Sequence, residues 1–382
     1  MRIALVTETF PPEVNGVART LEQLSLGLAG RGHELQVVRP RQGPPTADRP
    51  WREVLSLACP IPMYPGLRFG VPVLLRLRRR WREWRPDVVH IATEGPLGLA
   101  ALRAANVLDL PVSSTFHTNF HDYGRFYGYG GFFKVAVAYL RWFHNRTRIT
   151  LVPGPDVVER LADRGFERLD VLARGVDREQ FRPNRRDPEL RREWGVGPDE
   201  RVAVYVGRLA SEKNPTLAIR AFESLRRQDP SWRCVVVGDG PAAAEMRDGF
   251  PGAIYAGMRR GADLAAHYAS GDLLIFPSLT ETFGNVLLEG MACGVAPIGF
   301  DYAAARQLVE HGVDGLVAPR SDADAFLEQV ERAGAMPLAD LRSMGDRAAT
   351  KAAGWTWQRI VERFEGYLRA VAGQAPAEAR AA

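Results

Sequence analysis

The chain has 382 residues, of which 46% are hydrophobic and 25% are charged, a composition that fits a folded globular protein and excludes a disordered chain. The formal net charge is +5 and the isoelectric point is near 9.3, which favours anionic partners such as phosphorylated small molecules, acidic lipids or nucleic acid. Three cysteines, Cys59, Cys234 and Cys293, lie in unrelated contexts, which excludes a disulfide framework and fits a reducing cytoplasm.

The length suits two domains, and no uncharged apolar run reaches the length of a membrane span. Residues 1–9 are predicted to form a strand (Ile3–Val6) rather than a signal segment. A polar loop then leads to a predicted helix, Val17–Ala29, and apolar runs alternate with helical patterns from there on. This alternation predicts parallel strands joined by crossover helices, the doubly wound α/β fold. The further strands predicted in this half are Leu35–Val38, Val54–Leu57, Val88–Ile91, Val112–Phe116, Thr150–Val152 and Leu169–Leu172.

The loop after the first strand, TETFPPEVNGV, contains one glycine, Gly16, at the start of the helix. This glycine either lets a ligand approach the backbone closely or forms a plain N-terminal turn, and the sequence leaves both interpretations open. The fingerprint Gly-x-Gly-x-x-Gly is absent, which argues against a dinucleotide cofactor bound in the usual way.

An arginine-rich stretch, Leu74–Arg85, is predicted as part of a helix that runs from about Val71 to Trp84. Trp81 and Trp84 share its apolar face, and arginines including Arg78, Arg79 and Arg80 border that face. Tryptophan beside arginine suits the interface of an anionic membrane. Nucleic acid is a competing interpretation without a recognisable module, and the third is an ordinary amphipathic helix whose tryptophans pack on the sheet.

His117 follows directly after the predicted strand Val112–Phe116, at the strand edge where doubly wound folds bind ligands. His121 lies four residues further on, but no third ligand with suitable spacing is nearby, so no metal site is predicted. His117 is therefore either a ligand-contacting residue or a histidine bonded to the backbone at a strand end.

The second half begins after RGVDREQFRP, a charged segment with a glycine turn that indicates a crossover between domains at about 174–195. The predicted strand Val202–Val206 is followed by GRLASEKNP. This places Arg208 and Lys213 at the carboxyl edge of the strand, where a guanidinium fork and an ammonium group can clamp a diphosphate. As lone residues, both cations would be interpreted as surface charge.

Asp322 and Asp324 form an Asp-x-Asp pair at a helix start, where a helix cap is favoured over a metal ligand. The further strands predicted in this half are Cys234–Val237, Ile254–Ala256, Leu273–Phe276, Ala296–Ile298 and Gly315–Val317.

The stretch DLLIFPSLTETFGNVLLEGMACGVAP, residues 272–297, predicts a strand, a polar loop and a helix, Phe283–Ala292. The amides at such a helix start attract anions, and Gly284 lets a phosphate approach the backbone. Glu281 in the loop and Glu289 in the helix would repel a phosphate but accept hydrogen bonds from sugar hydroxyls. The alternative is that Glu281 caps the helix and Glu289 lies on its wet face. The spacing indicates a nucleotide diphosphate joined to a sugar.

The pattern PS-x-x-ETFG-x-x-x-LE-x-MA-x-G-x-x-P in this stretch resembles retaining glycosyltransferase family 4, which includes sucrose-phosphate synthases, phosphatidylinositol mannosyltransferases and sulfoquinovosyltransferases. The resemblance covers nearly the whole chain and implies the GT-B fold, an α/β architecture of two facing Rossmann-like domains. It implies an acceptor domain over 1–173, a linker over 174–195 and a donor domain over 196–354. A last helix at about 355–371 would pack back on the first domain, and residues 373–382 would form a mobile tail.

The resemblance also implies roles for single residues. Arg208 and Lys213 would contact the diphosphate, Glu289 would hold the ribose hydroxyls, and Glu281 would orient the sugar. His117 would lie beside the donor sugar and the acceptor hydroxyl. The remaining donor-binding candidates are Gly16, Asp239, Gly257, Met258, Arg259, Thr282, Phe283, Gly284, Asn285 and Val286. The acceptor-entry candidates are Asp122, Tyr123 and Arg125.

The implied reaction is glycosyl transfer with retention, without a metal or other cofactor and without a covalent nucleophile, so a diphosphate oxygen would take the acceptor's proton. The segments VNGV, RGVD and GRLASEK most resemble GDP-mannose-dependent α-mannosyltransferases, with glucosyl and sulfoquinovosyl lipid synthases that use UDP-sugars as the alternative. The acceptor would be a lipid or lipid-linked glycan, and the protein a monomer on the inner face of the cell membrane that binds no nucleic acid. An oxidoreductase or epimerase on the same architecture and a non-catalytic binder of anionic surfaces remain as other classes.

Overall fold

A computed structural model describes residues 1–13, 15–42, 49–60, 68–117 and 131–374. The chain divides into two compact units, one formed by Met1–Arg174 together with the segment from Trp357 onward, the other by Gly175–Thr356. No helix within the described ranges is long and apolar enough to span a bilayer.

The first unit is built on strands covered by helices. Its strands are β1 (Arg2–Val6), β2 (Glu34–Pro40), β3 (Arg52–Ser56), β4 (Ala58–Pro60), β5 (Arg68–Gly70), β6 (Val88–Ile91), β7 (Val112–Thr115), β8 (Ile149–Val152) and β9 (Leu169–Val171). Its helices before residue 175 are α1 (Gly16–Gly30), α2 (Leu74–Trp84), α3 (Pro96–Val107), α4 (Gly131–His144) and α5 (Pro155–Ala162).

Seven of these strands form one parallel sheet in the order β3-β2-β1-β6-β7-β8-β9. In β1 the side chains of Ile3, Leu5 and Val6 are all fully buried, because crossover helices cover both faces of a parallel sheet. β4 and β5 pair separately as an antiparallel hairpin, which the sequence analysis did not predict. Helix α2 consequently begins at Leu74, after the hairpin, and not at Val71.

The second unit repeats this plan. Its strands are β10 (Val202–Val206), β11 (Arg233–Val237), β12 (Ile254–Gly257), β13 (Leu273–Phe276), β14 (Ala296–Phe300) and β15 (Leu316–Ala318). Its helices are α6 (Pro188–Glu193), α7 (Pro215–Gln228), α8 (Ala243–Gly249), α9 (Gly261–Ala269), α10 (Asn285–Ala292), α11 (Ala303–Leu308), α12 (Ala323–Ala335) and α13 (Leu338–Ala352). The strands form a parallel sheet in the order β12-β11-β10-β13-β14-β15. Both units are thus Rossmann-like, and the predicted fold class is confirmed.

The segment predicted as a linker, 174–195, belongs to the second unit from residue 175 onward. This segment is attached to the second unit through Asp272, a fully buried carboxylate just before β13. Arg186 lies 2.9 Å and Arg191 lies 3.3 Å from the carboxylate oxygens of Asp272. The linker prediction is corrected because a buried carboxylate requires cationic partners. Two of the partners of Asp272 come from this segment, and a third, Arg342 at 3.2 Å, comes from α13.

The final helix, α14 (Trp357–Val371), packs against α1 within the first unit. Glu365 of α14 is buried and pairs with Arg31, with His33 at 3.0 Å and with Arg369 at 2.7 Å. Burial acts to raise the pKa of Glu365, but hydrogen bonds from these three side chains lower it to about 2. This network therefore attaches the last helix to the first unit through charge as well as apolar packing.

We expect Glu365→Gln to lower the free energy of unfolding by about 2–3 kcal/mol near neutral pH, because it removes a charge from a hydrogen-bonded network. The pKa of this carboxyl is about 2 in the fold against an ordinary 4.5, so the stabilisation is complete above the ordinary value and is lost as the pH falls toward about 2. Denaturant titrations of both proteins near neutral pH and in acid measure this. A stability difference that is unchanged in acid would contradict the prediction.

Candidate active site

Three loops of the second unit meet at the carboxyl edge of its sheet, after β10, β11 and β13. The amide of Leu209 donates to the carbonyl oxygen of Asp239 at 3.0 Å, and the amide of Leu279 donates to that of Glu212 at 3.0 Å. Because parallel strands all end at one edge, these loops form a connected surface although they are far apart in sequence. Most of the predicted donor-binding residues lie on this surface.

Gly238 holds two of these loops together. Its φ is +139°, and a Cβ atom at this position would lie 1.9 Å from the carbonyl oxygen of Gly207. Its amide donates to the carbonyl oxygen of Gly257 at 2.9 Å. Asp239, the next residue, has an exposed side chain that accepts from the amide of Gly240 at 2.8 Å. The glycines of this turn have a structural role, and the donor contact of Asp239 stays a prediction.

The end of β12 presents Met258, which is 58% exposed, after Gly257, whose φ is +72°. Arg259 turns back onto its own segment, where its Nε donates to the carbonyl oxygen of Ala256 at 2.9 Å and its Nη1 to Asp263 at 3.2 Å. Stacking of Arg259 on a base would require these bonds to break, and the role stays a prediction.

Lys213 and Glu281 form an ion pair, with 2.5 Å between Nζ and Oε1. Their side chains are 24% and 12% exposed, so the pair is partly desolvated. Lys213 lies in a short 3₁₀ turn, Ser211–Lys213, and the hydroxyl of the buried Tyr205 donates to its carbonyl oxygen at 3.3 Å. A cation and an acid from two loops thus stand side by side, as a ligand with both a phosphate and a sugar requires.

Arg208 lies on the same loop as Lys213, and its side chain is exposed. Its guanidinium makes no hydrogen bond or ion pair with any residue in the described part of the chain. A guanidinium without a protein partner at this edge is available for an anion.

Helix α10 begins next to this pair without a side-chain cap. Its N-cap residue is Gly284, at φ +104°, so the helix starts at Asn285 and not at Phe283 as predicted. Glu281 does not cap the helix, which removes the structural alternative for this acid. The first amides, those of Asn285 and Val286, therefore lie at the positive end of the helix dipole without a side-chain cap.

The two residues before Gly284 differ in burial. Phe283 is buried and packs on Trp355, with 6.5 Å between ring centroids, so its side chain supports the loop. Thr282 is half-buried. Any donor contact of Phe283 would come from its backbone.

Glu289, one turn into α10, is half-buried and not on a wet face. The hydroxyl of Tyr268, a fully buried residue of α9, donates to its Oε2 at 3.0 Å. Tyr268 was not predicted as a site residue, because the segment Tyr268–Asp272 carries no motif beyond the start of the next strand. The bond orients the carboxylate of Glu289, and its contact with ribose hydroxyls stays a prediction.

His117 lies in the first unit, directly after β7. Its Nδ1 is 3.0 Å from Nη2 of Arg174, and its Nε2 is buried without a hydrogen bond to any described residue. Burial lowers the pKa of His117 well below its ordinary value, and the charge of Arg174 adds to this. His117 is therefore a neutral imidazole whose Nε2 has no partner among the described residues, and its contact with a ligand stays a prediction.

Two further features of the first unit lie near the carboxyl end of β1. Asn15 caps α1, accepting from the amide of Ala18 at 2.8 Å, and no atom lies within 4 Å of a Cβ placed on Gly16.

Glu8, which the sequence analysis did not single out, accepts from the amides of Gly70 and Leu97. Burial raises the pKa of Glu8 to about 7, against the effect of these amide bonds. Glu8 thus joins three segments at this edge.

The arginine-rich helix α2 does not present both of its tryptophans on an exposed surface, as its predicted membrane-facing role requires. Trp81 is fully buried and its indole N–H donates to Gln36 at 2.9 Å, while Trp84 donates to Glu34 at 2.9 Å. The predicted membrane role of Trp81 is corrected, since its ring packs on the sheet. The exposed side chains of α2 are Leu75, Arg76, Arg79, Arg80, Arg82 and Glu83, and Arg78 is half-buried.

Three other predicted features have simple outcomes. Asp322 caps α12, accepting from the amide of Ala325 at 3.0 Å, so the predicted cap is confirmed. The helix after it is interrupted at Pro337, which lacks the N–H that helix continuation requires.

The acceptor-entry candidates Asp122, Tyr123 and Arg125, together with His121 and the tail from residue 375, lie outside the described residues.

Two family models match the chain. The model for Glycosyltransferase Family 4 matches residues 14–180, and the model for Glycosyl transferases group 1 matches residues 200–335.

Named relatives match over most of their length. The GDP-mannose-dependent alpha-mannosyltransferase of Mycolicibacterium smegmatis is 36% identical over 380 residues, which cover 98% of each chain. The alpha-monoglucosyldiacylglycerol synthase of Streptococcus pneumoniae is 27% identical over 78% of this chain and 70% of its own. Sucrose-phosphate synthase from Thermosynechococcus elongatus has a similar structure, with a TM-score of 0.75, 18% identity and coverage of 97% of this chain and 98% of its own.

We expect Gly238→Ala to lower the melting temperature markedly, by the equivalent of about 3 kcal/mol or more, because its Cβ would collide with backbone and its φ is left-handed. Gly30→Ala is the matched control, since nothing lies within 4 Å of a Cβ there. Thermal denaturation of the two variants compares them directly. Equal melting temperatures would show that the two loops do not need this close approach.

Proposed function

The chain belongs to glycosyltransferase family 4 and is a glycosyltransferase, and we propose that it transfers α-mannose from GDP-mannose onto a lipid or lipid-linked glycan. The observation that best supports a donor-binding site is the Lys213–Glu281 pair beside the uncapped start of α10. It places a cation, free helix amides and an acid within one short stretch of the sheet edge. Only a ligand with both phosphate and hydroxyl groups uses all three.

The diphosphate of the donor would bind to the positive groups of this edge. Arg208 and Lys213 supply full charges, and the amides of Asn285 and Val286 supply the helix N-terminus. When the bond between the anomeric carbon and the phosphate oxygen breaks, the departing diphosphate gains negative charge. Cations that are already in place stabilise that charge without reorganising, which lowers the barrier.

The hydroxyl groups of the donor would bind to the two acids. Glu281 accepts from the sugar that is transferred, while its bond to Lys213 keeps it oriented. Glu289, held by Tyr268, accepts from the ribose hydroxyls. His117 donates from its free ring nitrogen to the reacting sugar, in accordance with the role that the family resemblance implies.

Retention of configuration follows if the acceptor attacks from the face that the diphosphate leaves. A diphosphate oxygen then takes the acceptor's proton, so no protein base is needed. We propose that Arg208 and Lys213 do the work that a metal does in other glycosyltransferases, and that transfer proceeds without a metal.

The choice of GDP-mannose is supported by the mycobacterial relative, which matches this chain from end to end. A UDP-sugar-dependent transfer to diacylglycerol is the second candidate, supported by the likeness to the streptococcal synthase.

For the lipid acceptor we propose that the protein acts as a monomer on the inner face of the cell membrane. The exposed arginines of α2, among them Arg79 and Arg80, would contact anionic headgroups, and Leu75 at 75% exposure would reach the interface. Trp81 takes no part in that contact, since it is buried, and the half-buried Trp84 is hydrogen-bonded to Glu34.

A donor panel tests the proposal. We expect GDP-mannose to raise the melting temperature and to be turned over, with release of GDP, whereas UDP-glucose and UDP-sulfoquinovose do neither. Excess EDTA should leave the rate unchanged. Turnover of a UDP-sugar instead would establish the second candidate, and loss of activity in EDTA that returns with a divalent metal would refute metal-independent transfer.

Single substitutions test the site itself. Lys213→Ala and Glu289→Ala should each lower the affinity for the donor about 10- to 100-fold, since a hydrogen bond to a charged group contributes about 1.5–3 kcal/mol. Lys351→Ala is the matched control, because Lys351 pairs with Asp314 at 2.9 Å in the same unit but off this edge. Calorimetric titration with the donor measures the affinities. Unchanged affinity in the first two variants would place the diphosphate elsewhere.

A further inference from the structure

Arg174 is a buried arginine to which the proposed reaction gives no role. It follows β9 in the first unit and is only 4% exposed. Its Nη1 donates to the carbonyl oxygen of Leu172 at 3.1 Å, and its Nη2 lies 3.0 Å from Nδ1 of His117. No carboxylate in the described part of the chain pairs with it. A buried cation without an acid is unfavourable, so its placement beside a histidine calls for an explanation.

The chemistry of the two side chains fixes the direction of the hydrogen bond between them. Burial lowers the pKa of Arg174 to about 10, which still leaves it protonated near neutral pH. A guanidinium has donors and no acceptor, so Nδ1 of His117 must accept. The single proton of the neutral ring then resides on Nε2, which is the nitrogen without a partner among the described residues.

Within residues 68–117 and 131–374, the charged and titratable groups that act on His117 do not reverse this assignment. The titratable side chains that face it are Arg174, His90 on β6 and His144 on α4. Burial lowers the pKa of both other histidines to about 3, so each is neutral near physiological pH. His90 is held between Ser113 and Thr115, at 2.9 and 2.7 Å. Of these three groups, Arg174 is therefore the one that carries a charge near neutral pH.

We propose that Arg174 is a positioning residue that holds His117 as the neutral tautomer with its proton on Nε2. His117 then serves as a hydrogen-bond donor to the reacting sugar and cannot act as a base. One of its nitrogens already carries the proton, and the other is occupied by the guanidinium. This inference rests on the proposed function and deepens it, because it leaves the departing diphosphate as the group that takes the acceptor's proton.

The tautomer can be measured without any substrate. In protein labelled with ¹⁵N at histidine, two-bond proton–nitrogen correlations distinguish a protonated Nε2 from a protonated Nδ1, and His117→Gln identifies the signal. We expect the wild-type ring to remain in the Nε2–H form across the range in which free histidine titrates. An Nδ1–H form or a titrating imidazolium in the wild-type protein would overturn the proposal.

Three variants separate positioning from folding. Arg174→Met removes the donor at similar length, and we expect its His117 signal to show a mixture of the two neutral tautomers. Arg174→Lys retains a cationic donor and should restore the wild-type signal. Arg168→Met is the control, since Arg168 lies before β9 and binds the carbonyl oxygen of Thr147 at 3.1 Å, away from His117. An Arg174→Met ring that keeps the wild-type tautomer would refute the assignment.

The same variants have a kinetic readout. With the donor that the panel identifies, Arg174→Met should lower kcat tenfold or more, with less than about a threefold change in the donor KM. Arg174→Lys should recover most of the rate. Equal kcat in Arg174→Met and wild type would overturn the role in turnover. If no donor is turned over, the proposed function fails, while the tautomer measurement still decides the assignment of the proton.

Discussion

The parallel order of the strands is the constraint on which both units depend. Loops that follow parallel strands all leave the sheet at one edge, so residues that are distant in sequence meet there. Lys213 and Glu281 are separated by 68 residues and approach to 2.5 Å because β10 and β13 are adjacent strands. His117 and Arg174 follow β7 and β9 of the other sheet, with β8 between these two strands. The order of the strands, and not the local sequence, thus brings these side chains together.

Several polar groups at these edges already have partners in the protein. Glu281 holds Lys213, Tyr268 holds Glu289, and Arg174 holds His117. Each bond limits the rotamers of a group whose position matters for the reaction, which reduces the reorganisation needed when a donor arrives. The exceptions are the guanidinium of Arg208 and the first amides of α10, both positive and both open to a ligand. An anion therefore meets a site in which Lys213 is already oriented by Glu281, while the Arg208 guanidinium makes no bond to a described residue.

Local patterns were sufficient for the elements of both sheets, because a strand covered on both faces is an uninterrupted apolar run. Where tertiary contacts set the outcome, local patterns failed. The β4–β5 hairpin shortens α2 at its start, Gly284 delays α10 to Asn285, and residues 175–195 pack on one unit through Asp272. Trp81 shows the same limit, since an amphipathic face with arginines fits both a membrane and a sheet, and only packing decides between them.

The amino-acid sequence by itself determined the family, the two Rossmann-like units and the candidate cations and acids, because these depend on residue type and spacing along the chain. The tertiary structure decided what lies next to each of them. It paired Lys213 with Glu281, supplied Tyr268 beneath Glu289 and placed Arg174 against His117. Such partners come from other strands and helices, so no spacing rule reveals them. The proton position on His117 depends on a neighbour 57 residues away, a distance that only the folded sheet brings within hydrogen-bonding range.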